Sequence, residues 1–280
     1  MKVLNKNLIF FLPNFTKGGA GYAILRLCEY LKNKNFNLNV ICVGNCELKK
    51  KLLKLKVKIY EIDSINTINS IPHLKRITKK IIDSTKNKTI FVSNHHYANV
   101  ISMLALRNIK IKKILVERTS IDQLKRSYSL KDFLKKRIIL FLIKFFYPKS
   151  DLVIANSKRE SDDIKKFCNS KTIHIYPAAY YRIKSKIKKK KKKHIYILNV
   201  GSLIKEKGID TIIKAIKILN NENINLDVLG KGYDQIQDES KNLINLRKKL
   251  KLEKQIKFND FKNNLKKFYK KADLYINASH

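Results

Sequence analysis

The chain alternates between short, continuous apolar runs and longer segments with an apolar residue at every third or fourth position. The runs predict strands buried on both faces, and the longer segments predict helices with one apolar face. The first part of the chain thus has predicted strands at residues 8–12, 38–43, 57–61, 89–93, 113–116, 152–155 and 173–176. Predicted helices lie between them at residues 22–32, 71–84, 98–107, 130–146 and 157–167. Such an alternation is typical of a parallel sheet with helices on both faces.

The alternation stops at a lysine-rich segment and then starts again. Residues 188–193 are all lysine, a run that repels itself and has nothing to pack, so it predicts an interdomain linker. A basic tract that docks on phosphates is the alternative. Beyond it, strands are predicted at residues 195–200, 224–229, 256–258 and 274–276, with helical patterns at 209–219, 238–250 and 265–269. We therefore predict an α/β protein with an N-terminal Rossmann-like domain of residues 1–178, a linker of residues 179–193 and an incomplete C-terminal domain of residues 194–280.

The charge balance is strongly basic, with 62 Lys and Arg against 22 Asp and Glu and a formal net charge of +40. One explanation is a polyanionic partner such as nucleic acid or an anionic membrane surface. The other is a compositional drift towards Lys, Ile and Asn, which share A- and T-rich codons. No signature of specific nucleic-acid recognition with interleaved aromatic residues accompanies the charge, so we expect no specific nucleic-acid partner.

The four cysteines do not form a metal or redox motif. Cys28, Cys42, Cys46 and Cys168 are scattered, with no Cys-x-x-Cys pair, and are expected to be buried free thiols in a reducing compartment. The apolar run near the N-terminus is too short for a signal peptide, and the longest apolar stretch, within 138–147, is interrupted by Lys144. We expect a cytoplasmic protein, at most peripheral on the inner face of the membrane.

Candidate site residues in the first domain come directly after its predicted strands, because ligands of open parallel sheets bind beyond the carboxyl ends of the strands. Gly18 and Gly19 follow the first strand, where glycine permits positive φ and close approach of the backbone. His95 and His96 follow the strand at 89–93, and this pair is a candidate contact for a sugar hydroxyl or the β-phosphate. Arg118 follows the strand at 113–116 as a candidate clamp for a phosphate or an acidic acceptor, with Glu117 orienting it. A solvated loop histidine and a surface ion pair are the alternatives.

The second domain opens with a strand, a tight turn and a lysine beside a helix. Gly201 ends the predicted strand, and Lys207 and Gly208 precede the helix at 209–219. Unpaired N–H groups and the helix dipole at that end favour an anion, so the geometry suits a phosphate.

This stretch resembles the phosphate-binding turn of the retaining nucleotide-sugar glycosyltransferases of family 4, which have two Rossmann-like domains facing a cleft (the GT-B fold). The family pattern is an apolar strand, Gly, Arg, a short loop, Lys, Gly and an amphipathic helix. This chain keeps Gly201, Lys207 and Gly208 but has Ser202 where Arg is commonest. The opening strand, glycine loop and helix at 8–31 and the segment 272–280 also resemble the family.

The resemblance implies the site and the reaction. Gly18, Gly19 and Lys207 are expected to bind the donor diphosphate, and His95 and Arg118 the sugar or the acceptor. The residues beside the nucleotide would be Gly201, Ser202, Gly230 and Gly232, with residues 258–261 passing near the base. The implied reaction is retaining transfer of a sugar from a nucleoside-diphosphate sugar to a glycan or lipid-linked acceptor in cell-surface polysaccharide or lipopolysaccharide biosynthesis. No metal or other cofactor is expected, since no Asp-x-Asp triplet occurs.

One family motif lies outside this sequence. In the family, the strand that resembles 272–280 leads into a loop with two glutamates, and that acidic pair would lie beyond His280. The catalytic residues are therefore unknown, and we expect a C-terminally truncated transferase with little or no activity. An inactive remnant and a basic polyanion-binding protein are the alternative interpretations.

The predicted helix at 130–146 has a broad apolar face and several basic residues. It is expected either to pack against the first sheet or to lie on a membrane surface.

Overall fold

The chain forms two compact units, Met1–Ile183 and Lys184–His280. The computed structural model describes residues 6–85, 87–125, 129–177, 194–232, 238–260 and 265–279. The predicted linker of residues 179–193 lies outside the described residues, as do His280 and the last residue of the segment 258–261 that the resemblance places beside the base.

The first unit is a parallel sheet covered by helices on both faces. Its strands are β1 (Lys6–Phe11), β2 (Phe36–Val43), β3 (Lys58–Ile62), β4 (Thr89–Asn94), β5 (Lys112–Val116), β6 (Leu152–Ala155) and β7 (Thr172–His174). Its helices are α1 (Gly19–Leu31), α2 (Lys49–Lys54), α3 (Ile71–Asp83), α4 (His96–Ala105), α5 (Leu130–Phe146) and α6 (Lys158–Cys168). The strand order is β3-β2-β1-β4-β5-β6-β7, which is that of a doubly wound α/β fold.

Alternate residues of β1 enter two different cores. Leu8 and Phe10 pack with α1 and α2, whereas Ile9 and Phe11 pack with α3 and α4 on the opposite face. Successive side chains of a strand point to opposite faces, so a strand covered on both sides must be apolar throughout. This is why the sequence shows an uninterrupted apolar run at β1.

The second unit is a smaller parallel sheet. It contains β8 (Ile195–Val200), α7 (Ile209–Leu219), β9 (Ile224–Leu229), α8 (Ser240–Lys249), β10 (Ile256–Asn259), α9 (Lys266–Lys271) and β11 (Leu274–Tyr275). The strand order is β10-β9-β8-β11, and all pairs are parallel. Isoleucines of α7 at positions 209, 212, 213 and 216 are buried against β8, β9 and β10 in a single core.

The predicted elements are largely confirmed, with informative differences. The strands β6, β8 and β9 and the helices α5 and α7 have the predicted bounds, and β11 lies at the edge of its sheet. The helix predicted at 98–107 begins earlier, at His96, so His95 and His96 are its N-terminal cap and first residue rather than part of an open loop. The short lysine-rich helix α2 was not predicted.

Candidate functional site

The strand order brings two loops of the first unit next to each other. β1 and β4 are neighbours, but the chain runs from β1 towards β2 on one side and from β4 towards β5 on the other. Ligands of open α/β sheets bind beyond the carboxyl ends of the strands at such a switch point. Gly18 and Gly19 follow β1 and His95 follows β4, so these predicted site residues lie at the switch point.

The glycine loop after β1 is open at the start of α1. Gly18 caps the helix with an ordinary negative φ of −93°, and Gly19 also lacks a positive φ. Of the two properties of glycine that the sequence suggested for this pair, a positive φ is therefore wrong, and the close approach of the backbone stays a prediction. A Cβ added at Gly19 would meet nothing within 4 Å, so the exposed first turn of α1 is accessible to an approaching group. Packing instead requires Gly21, where a Cβ would overlap the Thr16 carbonyl oxygen.

His95 occupies a backbone conformation that glycine favours, with φ 76° and ψ 145°. Its N–H donates to the Val116 carbonyl at 3.0 Å, and its carbonyl accepts from the Asn99 N–H at 2.8 Å, so β5 and α4 hold this conformation. Burial of the ring, and then the nearby Arg118 charge, lower the imidazole pKa. The neutral ring can both donate to and accept from a hydroxyl group.

Arg118 is fixed by an amide at the end of the neighbouring strand. Its Nε and Nη2 both donate to Asn94 Oδ1, at 3.1 and 2.9 Å. Within the described residues Arg118 forms no ion pair, in contrast to the surface ion pair considered from the sequence. Burial lowers the guanidinium pKa, but arginine stays charged in proteins. The result is a half-buried cation directly after β5, one strand away from the switch point.

Glu117 does not orient Arg118, in contrast to the prediction. Its side chain is buried, and its Oε1 accepts hydrogen bonds from the Tyr147 hydroxyl and from Asn99 Nδ2, the latter at 2.8 Å. Burial raises the Glu117 pKa to about 8, although the hydrogen bonds from Tyr147 and Asn99 act in the opposite direction. The carboxyl group is therefore largely protonated at neutral pH.

His96 faces the same buried carboxyl group. Its Nδ1 lies 3.2 Å from Thr119 Oγ1 and 3.9 Å from Glu117 Oε2. Burial, followed by the charges of His95 and Lys136, lowers the His96 pKa to about 4. Because His96 is neutral and Glu117 is protonated at neutral pH, their approach is a contact between neutral groups rather than a salt bridge.

The sequence did not identify the side chains that support this cluster. Asn94 positions Arg118, while Asn99 and Tyr147 hold Glu117. Asn94 was recognisable in principle, because it ends β4 directly before His95. Tyr147 lies 30 residues from Glu117 along the chain, and only the packing of α5 brings the two together.

The second unit also has a switch point, between β8 and β11. The loop after β8 contains Gly201, Ser202 and Lys207, and it starts beside the end of β11. Gly230 follows β9, the other neighbour of β8. The structure therefore brings together the predicted nucleotide-side residues at the carboxyl edge of one small sheet.

Gly230 allows two loops of the second unit to touch. A Cβ at Gly230 would overlap the Gly201 carbonyl oxygen. The loops are joined by a hydrogen bond from the Leu203 N–H to the Lys231 carbonyl at 3.0 Å. Gly201 itself has room, because its added Cβ would lie 3.8 Å from the Lys207 Cγ and Cδ atoms.

Lys207 is positioned at the N-terminus of α7. It ends a short 3₁₀ turn, Lys205–Lys207, and Gly208 follows in the left-handed conformation with φ 58° and caps the helix. The stem of Lys207 lies against Gly201, and in the described part of the chain its ammonium group forms no ion pair. A half-buried cation thus lies beside the N-terminus of an 11-residue helix, where the Asp210 carboxylate accepts hydrogen bonds from the Asp210 and Thr211 N–H groups.

Two other predicted residues have different surroundings. Ser202 is half-buried, and its carbonyl accepts from the Ile204 N–H at 2.9 Å, which tightens the turn after β8. A Cβ at Gly232 would overlap the Asp238 carboxyl group, so Gly232 makes room for that side chain. Residues 233–237 between them lie outside the described part of the chain.

The described helices provide no membrane-crossing segment, since none combines the necessary length with sufficient apolar character. All four cysteines are free and buried, as predicted.

Comparison with curated proteins finds glycosyltransferases that align with nearly the whole chain. An uncharacterized glycosyltransferase of Haemophilus influenzae is 26% identical over 283 residues, covering 96% of this chain and 73% of that protein. The N-acetylgalactosamine-N,N'-diacetylbacillosaminyl-diphospho-undecaprenol 4-alpha-N-acetylgalactosaminyltransferase of Campylobacter jejuni is 26% identical over 284 residues, covering 98% and 74%.

Solved structures share the fold at low sequence identity. Anabaena HepE in complex with UDP and glucose superposes with a TM-score of 0.74 at 16% identity, over 98% of this chain and 74% of that chain. Sucrose-phosphate synthase from Thermosynechococcus elongatus has a TM-score of 0.75 at 12% identity, over 96% and 74%. The fold is therefore that of the GT-B glycosyltransferases, with two Rossmann-like units.

Two family profiles cover most of the chain and correspond to its two parts. The profile described as Glycosyl transferases group 1 matches residues 181–280, which include the loop after β8 and the Lys207 turn. The profile described as Glycosyltransferase Family 4 matches residues 17–179, more than half of the chain, including the glycine loop and the His95 and Arg118 cluster. The chain belongs to Glycosyltransferase Family 4.

Proposed function

We propose that this glycosyltransferase transfers a sugar, with retention of the anomeric configuration, from a nucleoside-diphosphate sugar to a glycan or lipid-linked acceptor in the synthesis of a cell-surface polysaccharide or lipopolysaccharide. The observation that carries the proposal is the loop after β8, where Lys207 and the N-terminus of α7 meet at a switch point of the second sheet. The relatives support it, because the Campylobacter protein is named for transfer to a diphospho-undecaprenol-linked sugar.

In this proposal the second unit binds the donor diphosphate. When the sugar leaves, negative charge develops on the diphosphate, and preorganised donors stabilise that charge most effectively where water is excluded. Lys207 supplies a full positive charge, and the α7 N-terminus supplies its dipole. Protein groups therefore neutralise the leaving group, and the proposal requires no metal ion. Gly201 and Gly230 keep the loop backbone close to β8 and β9.

The first unit is assigned to the transferred sugar or the acceptor. His95 presents a neutral imidazole, which can hydrogen-bond a sugar hydroxyl without attracting the donor phosphates. Arg118 presents a cation whose fork is fixed by Asn94, which suits a phosphate or an acidic group of the acceptor. Gly18 and Gly19 leave the first turn of α1 open to an anion.

Donor binding is tested by titrating UDP, GDP and their glucose and mannose conjugates into the protein and its Lys207→Ala variant. Loss of a charge-assisted contact costs about 1.5–3 kcal/mol, which corresponds to roughly 10- to 100-fold weaker binding. Lys205→Ala is the matched control, because Lys205 lies in the same turn but is exposed. Equal affinities for the protein and Lys207→Ala would remove this lysine from the site. Addition of EDTA is expected to leave the affinity unchanged.

A basic polyanion-binding protein is the second candidate function, and the net charge of +40 is the observation that favours it. It differs from the proposed function in one measurable respect. A nucleotide-sugar site selects its nucleotide and responds specifically to Lys207→Ala, whereas a polyanion surface responds to total charge and salt.

A further inference from the structure

Helix α5 is apolar on two opposite faces. One face carries Ile139, Leu140, Ile143 and Phe146, which are buried with residues of α4, β5 and β6. The opposite face carries large apolar side chains that are exposed, among them Leu134 at 55% and Phe141 at 69%. Packing against the first sheet, one of the two expectations from the sequence, therefore accounts for only one of the two apolar faces. The exposed face is left for the other expectation, a membrane surface.

The exposed apolar residues form a continuous stripe along the helix, which we call the α5 stripe. At about 100° per residue, its members fall within an arc of about 80°, and the 17-residue helix is about 25 Å long. The α5 stripe consists of Leu130, Leu134, Ile138, Phe141 and Phe145. Apolar residues scattered singly on a surface need no explanation, but a contiguous stripe indicates an interaction site.

Basic side chains border the α5 stripe on both sides. By the same helical spacing, Lys131 and Lys135 lie along one border, and Arg137 and Lys144 lie along the other. All four are exposed. The acidic residue of the helix, Asp132, lies on the opposite, partly buried side and pairs with Lys136 at 2.7 Å. The exposed face is thus apolar in the centre and cationic at both edges.

Arg137 and a further cation, Lys149, also contact exposed aromatic rings. Lys149 Nζ lies 3.3 Å from the ring centroid of Phe145, just past the end of the helix. The Arg137 guanidinium lies 5.0 Å from the ring centroid of Phe133. Such contacts keep the cationic groups beside the apolar surface. A partner that covers the aromatic rings would therefore also place its own charged groups against these cations.

We propose that the α5 stripe docks on an anionic lipid bilayer, with α5 lying in the plane of the interface. Its apolar residues would insert between the acyl chains near the headgroups, and its bordering lysines and arginine would contact lipid phosphates. The proposal goes beyond the proposed sugar transfer and does not depend on it.

A second copy of this chain fits the α5 stripe less well than a bilayer does. An isologous dimer along the stripe would place the basic borders of one copy against those of the other. Lysine is depleted at the centre of protein interfaces, and one helix of this length offers little of the roughly 800 Å² per partner that a stable interface needs. An anionic bilayer matches both the apolar centre and the cationic borders.

The absence of tryptophan from the sequence gives a direct test. Phe141→Trp places a single fluorophore on the α5 stripe, and Ile218→Trp places one on the exposed side of α7 as a matched control. Vesicles of phosphatidylcholine with phosphatidylglycerol should shift the emission of Phe141→Trp to shorter wavelength and leave that of Ile218→Trp unchanged. A protein that binds these vesicles with no shift for Phe141→Trp would overturn the proposal.

Binding measurements with substituted proteins separate insertion from general charge attraction. Helix α3 is the matched control, because it is basic but carries no large exposed apolar residue. Three proteins are compared by vesicle co-sedimentation: the apolar variant Ile138→Gln, Phe141→Gln and Phe145→Gln; the border variant Lys131→Gln, Lys135→Gln and Lys144→Gln; and the α3 variant Lys75→Gln, Arg76→Gln and Lys79→Gln. Since all these side chains are exposed, each variant should keep the circular dichroism and thermal transition of the parent protein.

The apolar variant should partition at least about tenfold more weakly, because three large apolar side chains no longer insert between the acyl chains. The border variant should lose on the order of 100-fold at low salt, at about 1 kcal/mol per basic residue. The α3 variant should lose much less. Equal losses for the border and α3 variants, with no loss for the apolar variant, would mean simple attraction of a polycation and would overturn the proposal. So would an apolar variant that binds vesicles normally but turns a dimer into a monomer on size-exclusion chromatography.

Discussion

At the scale of single residues, the sequence predicted positions that the structure gathers at the candidate site, but not the contacts that each one makes. Lys207, Gly201 and Gly230 were found from local patterns, and the structure gathers them at one sheet edge. Glu117 was wrongly predicted to orient Arg118, because its contacts with Asn99 and Tyr147 depend on its burial in the fold. No local pattern shows that Tyr147, 30 residues away, will donate to its carboxyl group.

The raised pKa of Glu117 predicts a distinctive dependence of stability on pH. The group keeps its proton in the folded state up to a pKa of about 8, whereas in the unfolded chain it loses it near 4.5. Between these values the folded state binds more protons, so the free energy of unfolding falls as the pH rises, by roughly 1 kcal/mol per pH unit. Glu117→Gln removes this contribution. We expect the variant to gain stability relative to the parent protein from pH 5 to pH 8, as measured by urea unfolding.

The free energy of unfolding has to be compared between Glu117→Gln and the parent protein at each pH, because protonation of His96 changes stability in the opposite direction. Its lowered pKa, about 4, makes the folded state more stable as the pH rises through the range below 6.5. His96 is present in both proteins, so its effect cancels in the comparison. Glu61→Gln is the control, because hydrogen bonding to Lys49 lowers the Glu61 pKa and its contribution is constant above pH 5. A Glu117→Gln difference that stays constant from pH 5 to pH 8 would mean that Glu117 is ionised in the folded protein.

The strained backbone of His95 predicts that this position lowers the stability of the fold in order to keep the imidazole ring at the candidate site. A non-glycine residue in this region of φ and ψ costs about 1–3 kcal/mol. His95→Gly relieves the strain, and His95→Ala does not, although both remove the imidazole. We expect His95→Gly to be more stable than His95→Ala by about 1 kcal/mol in urea unfolding. Both variants lose the hydrogen bond that we propose between the ring and the sugar. A lower stability for the glycine variant would show that His95 is unstrained.

At the scale of elements, strands and long helices were predictable because their signals are local. β1 is covered on both faces, so its apolar run is continuous. β9 instead alternates buried apolar residues with Asn225 and Asp227, and α7 shows its isoleucine spacing directly. α2 was missed because its six residues, KKKLLK, include a single buried side chain, Leu52. The two apolar faces of α5 could be counted in the sequence, but only packing decides which face is covered.

The contact between the loops after β8 and β9 predicts that alanine is tolerated at Gly201 but destabilises the second unit at Gly230. Gly230→Ala would push its Cβ into the Gly201 carbonyl oxygen, a backbone atom that cannot move without disturbing β8. Gly201→Ala has room beside the flexible stem of Lys207. We expect Gly230→Ala to destabilise the second unit by more than about 1 kcal/mol and to abolish nucleotide binding. Gly201→Ala should keep the fold, as judged by hydrogen exchange at β8 and α7. Equal exchange in the two variants would contradict this account of the loop contact.

At the scale of the whole molecule, the net charge of +40 predicts binding to polyanions that salt controls and sequence does not. Neutralising phosphates releases condensed counterions, so the logarithm of affinity for duplex DNA should fall linearly as the logarithm of salt concentration rises. Unrelated duplexes should bind equally, because phosphate contacts carry no sequence information. The Lys75, Arg76 and Lys79 substitutions should reduce the slope by about 1 for each lost phosphate contact. UDP binding should respond far less to salt than DNA binding does, since one diphosphate engages only the Lys207 turn. A duplex preference that survives high salt would instead identify a nucleic-acid-binding protein and contradict the proposed sugar transfer.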